Sequence, residues 1–179
     1  MSANPEAIRA PHATRRRSVV ARTALYLGAL AVVATGVAHA QQYYGNNYST
    51  IPTIGTLFFL NFVAAVTLAV GLVVPLRRVI PRYAEAVRAL FAIGGICLGV
   101  LSLIALFVSE SSGLFGFVEN GYRTAIVLAI IVEAAAVVFL AVYLAADAAG
   151  PRQLRDLAAK AVTRTRAVGP RHRGSEERA

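Results

Sequence analysis

The sequence predicts an all-α membrane protein, a bundle of four transmembrane helices with both termini in the cytoplasm. Three observations carry that expectation. Of the 179 residues, 57% are hydrophobic and only 15% charged, and the mean hydropathy is +0.61, outside the range of soluble domains. Four apolar runs of 20 to 23 residues follow one another, separated by short polar stretches. The 18 Lys and Arg residues fall almost wholly in alternate connections.

Taken in order, residues 1–18 are polar, with Pro5, Pro11 and the run Arg15, Arg16, Arg17, and are expected to be disordered. The first helix is placed at residues 19–38, where Arg22 near its start can snorkel to the headgroups. Residues 41–50 form a polar, aromatic outer loop. The second helix covers 54–76 with one interior amide, Asn61, and a basic connection containing Pro81 follows. The third covers 89–108, and a loop with Glu110 and Glu119 leads to the fourth at 124–146, apolar except for Glu133. Gly150-Pro151 is expected to stop that helix ahead of a basic tail over 151–179. At a rise of 1.5 Å per residue, runs of this length give about 30–35 Å of helix, enough to cross the hydrocarbon core. Only helices satisfy their own backbone groups there without closing into a barrel. A soluble bundle is excluded because four such runs leave almost no polar face.

Orientation follows from the basic residues in short flanks. Five lie in the N-terminal flank, four in the middle connection and eight in the tail from Arg152, while the two remaining loops hold Arg123 alone. Seventeen against one puts both ends and the middle connection inside. Tyr43, Tyr44, Tyr48 and Tyr122 on the outer loops suit an interfacial aromatic belt. A cysteine placed at Asn46 is therefore expected to react with an impermeant thiol reagent in intact cells, and one at Tyr83 is not. The reverse labelling would overturn the orientation.

The first helix also imitates an export signal. Three arginines precede an apolar run, Ala38-His39-Ala40 stands before Gln41 like a cleavage site, and Thr14-Arg15-Arg16 hints at a twin-arginine signal. The run is longer than the usual core of about 7–15 residues, which favours a retained helix.

Two stretches are distinctive: Ile51-Pro52-Thr53-Ile54-Gly55-Thr56-Leu57-Phe58-Phe59-Leu60-Asn61, and Gly113-Leu114-Phe115-Gly116-Phe117-Val118-Glu119 with Glu133 in the helix beyond. Together with His39 they resemble an uncharacterised group of small four-helix membrane proteins common in actinobacteria. The resemblance spans about residues 20–146 and implies an uncleaved first helix, because His39 falls inside the pattern. It implies no activity, cofactor or substrate.

Glu133 is the sharpest feature of the chain. An ionised carboxylate at mid-membrane costs at least about 2.5–3.5 kcal/mol, so the side chain should face the bundle interior and be protonated or paired. It can serve as a proton or cation relay or a binding carboxylate. It can equally be a neutral acid bonded to a neighbouring helix, worth about 0.6–2 kcal/mol. Depth sets its partners. Glu133 lies nine residues in from Thr124, about 14 Å, while Asn61 and Ser102 lie about 10 Å in from their own helix ends. One outer-leaflet cavity can hold Glu133, Asn61 and Ser102, with His39 and Glu119 at its mouth. Asn61 alone more often serves as interhelical glue.

The remaining features restrict chemistry. A single cysteine, Cys97, excludes an internal disulfide, a CxxC pair and a thiolate cluster, and reads as packing. His12 and His172 fall on the side opposite His39, which excludes bis-histidine haem and three-histidine zinc within one chain. His39 with Glu119 and Glu110 has no metal-site spacing, and a contact with headgroups is the plainer reading of this histidine. No metal or other cofactor is expected. Gly95 and Gly99 form a GxxxG that suits a close helix contact, within the chain before a dimer seam. Leu154, Leu157, Ala158, Ala161, Thr165 and Val168 repeat at helical spacing, with Arg152, Arg155, Lys160, Arg164 and Arg166 mostly off that stripe. Residues 152–168 thus read as an amphipathic helix on the inner leaflet, those five basic residues touching anionic lipid. The net charge of +9 belongs to topology and lipid, not to nucleic acid.

These readings favour a non-catalytic plasma-membrane protein, an accessory or scaffold subunit acting through lateral contacts with lipid, a membrane protein partner or further copies of itself. The alternative is a small proton-coupled carrier or permease using Glu133. A membrane enzyme is disfavoured by the cysteine and histidine counts.

Overall fold

The computed structural model describes residues 5–116 and 124–167, with side chains described for Arg16, residues 18–116 and residues 124–148. The chain folds into α1 (Pro5–Gly45), a single 3₁₀ turn (Tyr48–Thr50), α2 (Pro52–Val73), the one-turn α3 (Leu76–Val79), α4 (Ala84–Ser111) and α5 (Thr124–Ala167). By length and apolarity Ser18–Gly45, Pro52–Val73, Ala84–Ser111 and Thr124–Ala148 each cross a membrane. The protein is a multi-pass membrane protein whose helices contact the bilayer.

The long helices alternate in direction and form a square. α1 packs against α2 and α5, and α4 packs against the same two, so α1 faces α4 across the diagonal and barely touches it. The interior is built from small side chains. Ala24 and Ala29 of α1, Ala65 and Ala69 of α2, Ala92 of α4 and Ala136 of α5 are buried, with Val32, Leu72 and Leu140 as the large core residues. Large apolar residues point the other way: Leu30, Leu90 and Leu101 are 65%, 67% and 64% exposed. This inversion is what hydrocarbon solvent favours. Lipid tails are as apolar as leucine, so close approach of backbones rather than burial of bulk holds the helices together. Gly95 and Gly99 make that approach to α5. A Cβ on Gly95 would lie 2.6 Å from Leu140 Cδ1, and one on Gly99 would lie 3.1 Å from the Glu133 carbonyl oxygen. Cys97 faces outward, exposed, instead of packing inside.

Helix ends depart from the apolar runs for identifiable reasons. α2 stops at Val73, short of the expected 76, because Pro75 forces Val74 into an extended conformation (φ −57°, ψ 139°). α4 starts at Ala84 instead of 89, and its first turns carry Glu85 and Arg88 beyond the hydrocarbon. There Arg77 pairs with Glu85 at 2.7 Å, and the Arg88 Nη2 donates to the Val74 carbonyl at 3.3 Å, tying α4 to the frayed end of α2. α1 is longer than residues 19–38 at both ends. It begins at Pro5, within the segment expected to be disordered, where proline at a first helical turn loses no hydrogen bond. It continues to Gly45, through residues assigned to the outer loop, because those residues have aromatic partners. His39 lies on Phe58 with ring centroids 5.2 Å apart, and Tyr43 lies on Phe59 at 5.5 Å. α5 likewise runs on through Gly150-Pro151 to Ala167 instead of stopping there. The carbonyl that Pro151 leaves without a donor is that of Asp147, an exposed residue at the very end of the spanning segment, where water can satisfy it.

Candidate functional site

At the outer end of the square (outer by the arginine distribution) the four helices enclose a cavity of about 450 Å³. That volume lies in the range of about 300–1,000 Å³ typical of small-molecule sites. Its origin is a difference in side-chain size along the bundle. In the inner half Val32, Leu72, Phe91 and Leu140 fill the axis. In the outer half the residues that face it from all four helices include Ala38, Ala64, Ala105, Ala125 and Ala129. Leu57, Leu60 and Leu101 line the cavity and are also exposed on the outer surface, so the wall between α2 and α4 is one side chain thick.

The polar groups arise from helical register. On α5 the buried positions Ile126, Glu133, Ala136, Leu140 and Tyr143 form one inward stripe, and Glu133 occupies the level where the alanines leave room. It is 2% exposed. On α1 the inward stripe passes through Val32 and Thr35 and ends at His39, which meets Glu133 because α1 and α5 run antiparallel. His39 Nε2 lies 3.8 Å from Glu133 Oε1. The Nδ1–H of His39 donates to the Thr35 carbonyl at 3.0 Å, which leaves Nε2 as the nitrogen turned to the carboxyl. The Glu133 carboxyl and the His39 Nε2 thus face each other, at a separation longer than a direct hydrogen bond.

Facing them, Asn61 Nδ2 donates to Ser102 Oγ and joins α2 to α4. Asn61 Oδ1, which faces the cavity, is buried without a hydrogen-bond partner among the described residues. Buried polar atoms of that kind call for an occupant, since leaving one unsatisfied costs about 1–3 kcal/mol.

Glu133, Asn61, Ser102 and His39 therefore share one cavity. Two details differ from the sequence reading. Asn61 and Ser102 bond to each other and not to Glu133, because they sit at equal depth on adjacent antiparallel helices. His39, read from the sequence as a headgroup contact, is half-buried with its Nε2 turned toward Glu133, because its helix continues past it to Gly45. Glu119 lies outside the described residues, as do the side chains of Arg152, Arg155, Lys160, Arg164 and Arg166. Tyr48 and Phe58 also line the cavity, although the sequence reading placed Tyr48 in an aromatic belt and gave Phe58 no role in the site. Among the described residues no three His, Cys, Asp or Glu side chains are grouped to hold a metal. Comparison with protein-family models, curated proteins and solved structures finds no match, so no family is assigned.

Proposed function

We propose that this chain is a small plasma-membrane binding protein or proton-coupled carrier, whose outer-half cavity takes an apolar or amphiphilic molecule and presents Glu133 and His39 to its polar end. One observation carries the reading: a buried carboxyl and a half-buried imidazole, 3.8 Å apart, open on a cavity of about 450 Å³ whose other walls are mostly apolar. An ionisable pair inside the membrane is expensive and tends to mark a ligand or proton path. Alanine at Ala64, Ala105 and Ala129 keeps space that larger residues would close. The exposed leucines between α2 and α4 give a molecule dissolved in lipid a short way in.

The test is photolabelling of the full-length protein in nanodiscs with an aliphatic alcohol bearing a diazirine. Glu133 is nearly inaccessible from outside, so saturable labelling there reports entry into the cavity. Ala129→Trp should remove it. Labelling confined to lipid-facing leucines such as Leu30 would defeat the proposal.

The second reading is an accessory or scaffold subunit that acts by lateral protein contacts or self-association. It is favoured by the economy of the outer connections, six residues between Gly45 and Pro52. It gives Glu133 no task beyond holding helices together. The resemblance to small actinobacterial membrane proteins fits either reading.

The tail is proposed to lie on the inner leaflet. The backbone is helical to Ala167, and each of Arg152, Arg155, Lys160, Arg164 and Arg166 adds about 1 kcal/mol of attraction to anionic lipid. A peptide of residues 152–168 is expected to gain helicity with anionic vesicles and lose it at high salt. Circular dichroism indifferent to vesicles would remove lipid contact from the tail.

A further inference from the structure

We infer that the cavity selects a lipophilic cation, an amine or quaternary ammonium on an apolar body, over neutral and anionic amphiphiles. The inference rests on the cavity being a ligand site and adds the charge of the ligand. It starts from what lines the polar end. The titratable groups there are His39 from α1, Tyr48 from the 3₁₀ turn and Glu133 from α5, and α2 and α4 contribute none among the described residues. Among the described residues no Lys or Arg lines the cavity, so a phosphate, sulfate or carboxylate head would meet a carboxyl without a compensating cation there. Buried like charges of that kind exclude a ligand more effectively than added contacts attract one.

The same end is built to receive positive charge. Glu133 can neutralise it at a site where an unpaired carboxylate is costly. Asn61 Oδ1, on the cavity wall, is a buried oxygen without a hydrogen-bond partner among the described residues. The aromatic ring of Phe58 lies between His39 and Tyr48, with centroids 5.2 and 5.1 Å away, and both Phe58 and Tyr48 face the cavity. Carboxylate and aromatic faces together are the common means of holding ammonium groups. Where the Glu133 carboxyl carries a proton, a cation seated against it takes that proton's place. The proton leaves to water, the charge of the site is conserved, and no bond other than O–H or N–H breaks. Cation binding therefore strengthens as pH rises.

The experiment is competition against the diazirine alcohol in nanodiscs of neutral lipid, using decyltrimethylammonium, decanol and decyl sulfate, which share one chain and differ in head charge. Decyltrimethylammonium is expected to halve cavity labelling at a concentration at least tenfold below that of decyl sulfate, with decanol between them. Lowering the pH should shrink the difference. In Glu133→Gln, followed by labelling at Phe58, the advantage of the cation over decanol and decyl sulfate should collapse. Decyl sulfate competing as well as the cation, or a preference for the cation that survives Glu133→Gln, would overturn the charge selection and leave the cavity as a ligand site. Absence of saturable labelling in the wild-type cavity would remove the site and the cation with it. Should Glu133→Gln fail to fold, Phe58→Leu provides the second reading. It retains the carboxyl and the apolar volume, and it should weaken the cation severalfold without changing decanol.

Discussion

Glu133→Gln is expected to remove the binding advantage of a cation while the protein stays folded, with its melting temperature in detergent within a few degrees of wild type. Glutamine keeps the length and hydrogen-bonding capacity of the protonated acid but cannot ionise. Glu133→Leu also removes the polar group that faces His39, and loss of that contact should destabilise the bundle by about 1 kcal/mol, the size of an interhelical polar contact in a membrane. The contrast between the two separates a ligand or relay group from structural glue. If the carboxyl only held helices together, glutamine would be neutral in binding as well as in stability. His39→Ala should share the binding defect, since it takes away the second basic site of the pair. His39→Gln should restore the hydrogen bond to the Thr35 carbonyl without restoring any dependence of binding on pH.

Gly55→Ala is the second large effect expected, and it tests the wall of the cavity. A Cβ at this position would lie 2.5 Å from the Tyr48 carbonyl oxygen and 3.0 Å from Ser49 Cα. Both are backbone atoms of the 3₁₀ turn, so no side-chain rotation relieves the clash, and the turn must move off α2. Overpacking of this kind costs about 1–3 kcal/mol. Because Tyr48 is buried on that turn and lines the cavity, ligand binding should fall with stability. Gly45→Ala is the matched control at the end of α1. Its nearest neighbour would be Gln41 Cγ at 3.8 Å, so the substitution is accommodated and should be neutral within about 0.5 kcal/mol. Thermal unfolding in detergent, followed by intrinsic tyrosine fluorescence, distinguishes the two.

Much of the architecture was legible because membrane physics leaves few alternatives. Four apolar runs of spanning length dictate four helices, and short connections between them dictate antiparallel neighbours. Depth alone brought Glu133, Asn61 and Ser102 to one level, since helical rise converts residue number directly into height. What depth does not give is azimuth. Whether Asn61 turns to Ser102 or to Glu133 depends on rotation of each helix about its axis, and that is fixed by contacts such as Gly95 against Leu140 which no single run displays. The extension of α1 past residue 38 was hidden for a related reason. Gln41, Gln42, Tyr43 and Tyr44 look like a polar loop until Phe58 and Phe59 of α2 are placed beside them. Pro75 was a readable stop for α2, although the apolar run continued to Leu76. Gly150-Pro151 was a readable stop that the helix passes, because proline's penalty is smaller where water can replace the lost hydrogen bond.

Native mass spectrometry of the full-length protein, extracted from its own membrane in mild detergent, tests most directly whether the outer cavity is a ligand site. The expected result is a small-molecule adduct on the wild-type chain, at no more than one per chain, that is missing from Ala129→Trp and reduced in Glu133→Gln. A wild-type chain without such an adduct, associated instead with a second polypeptide at fixed stoichiometry that both variants retain, would contradict it.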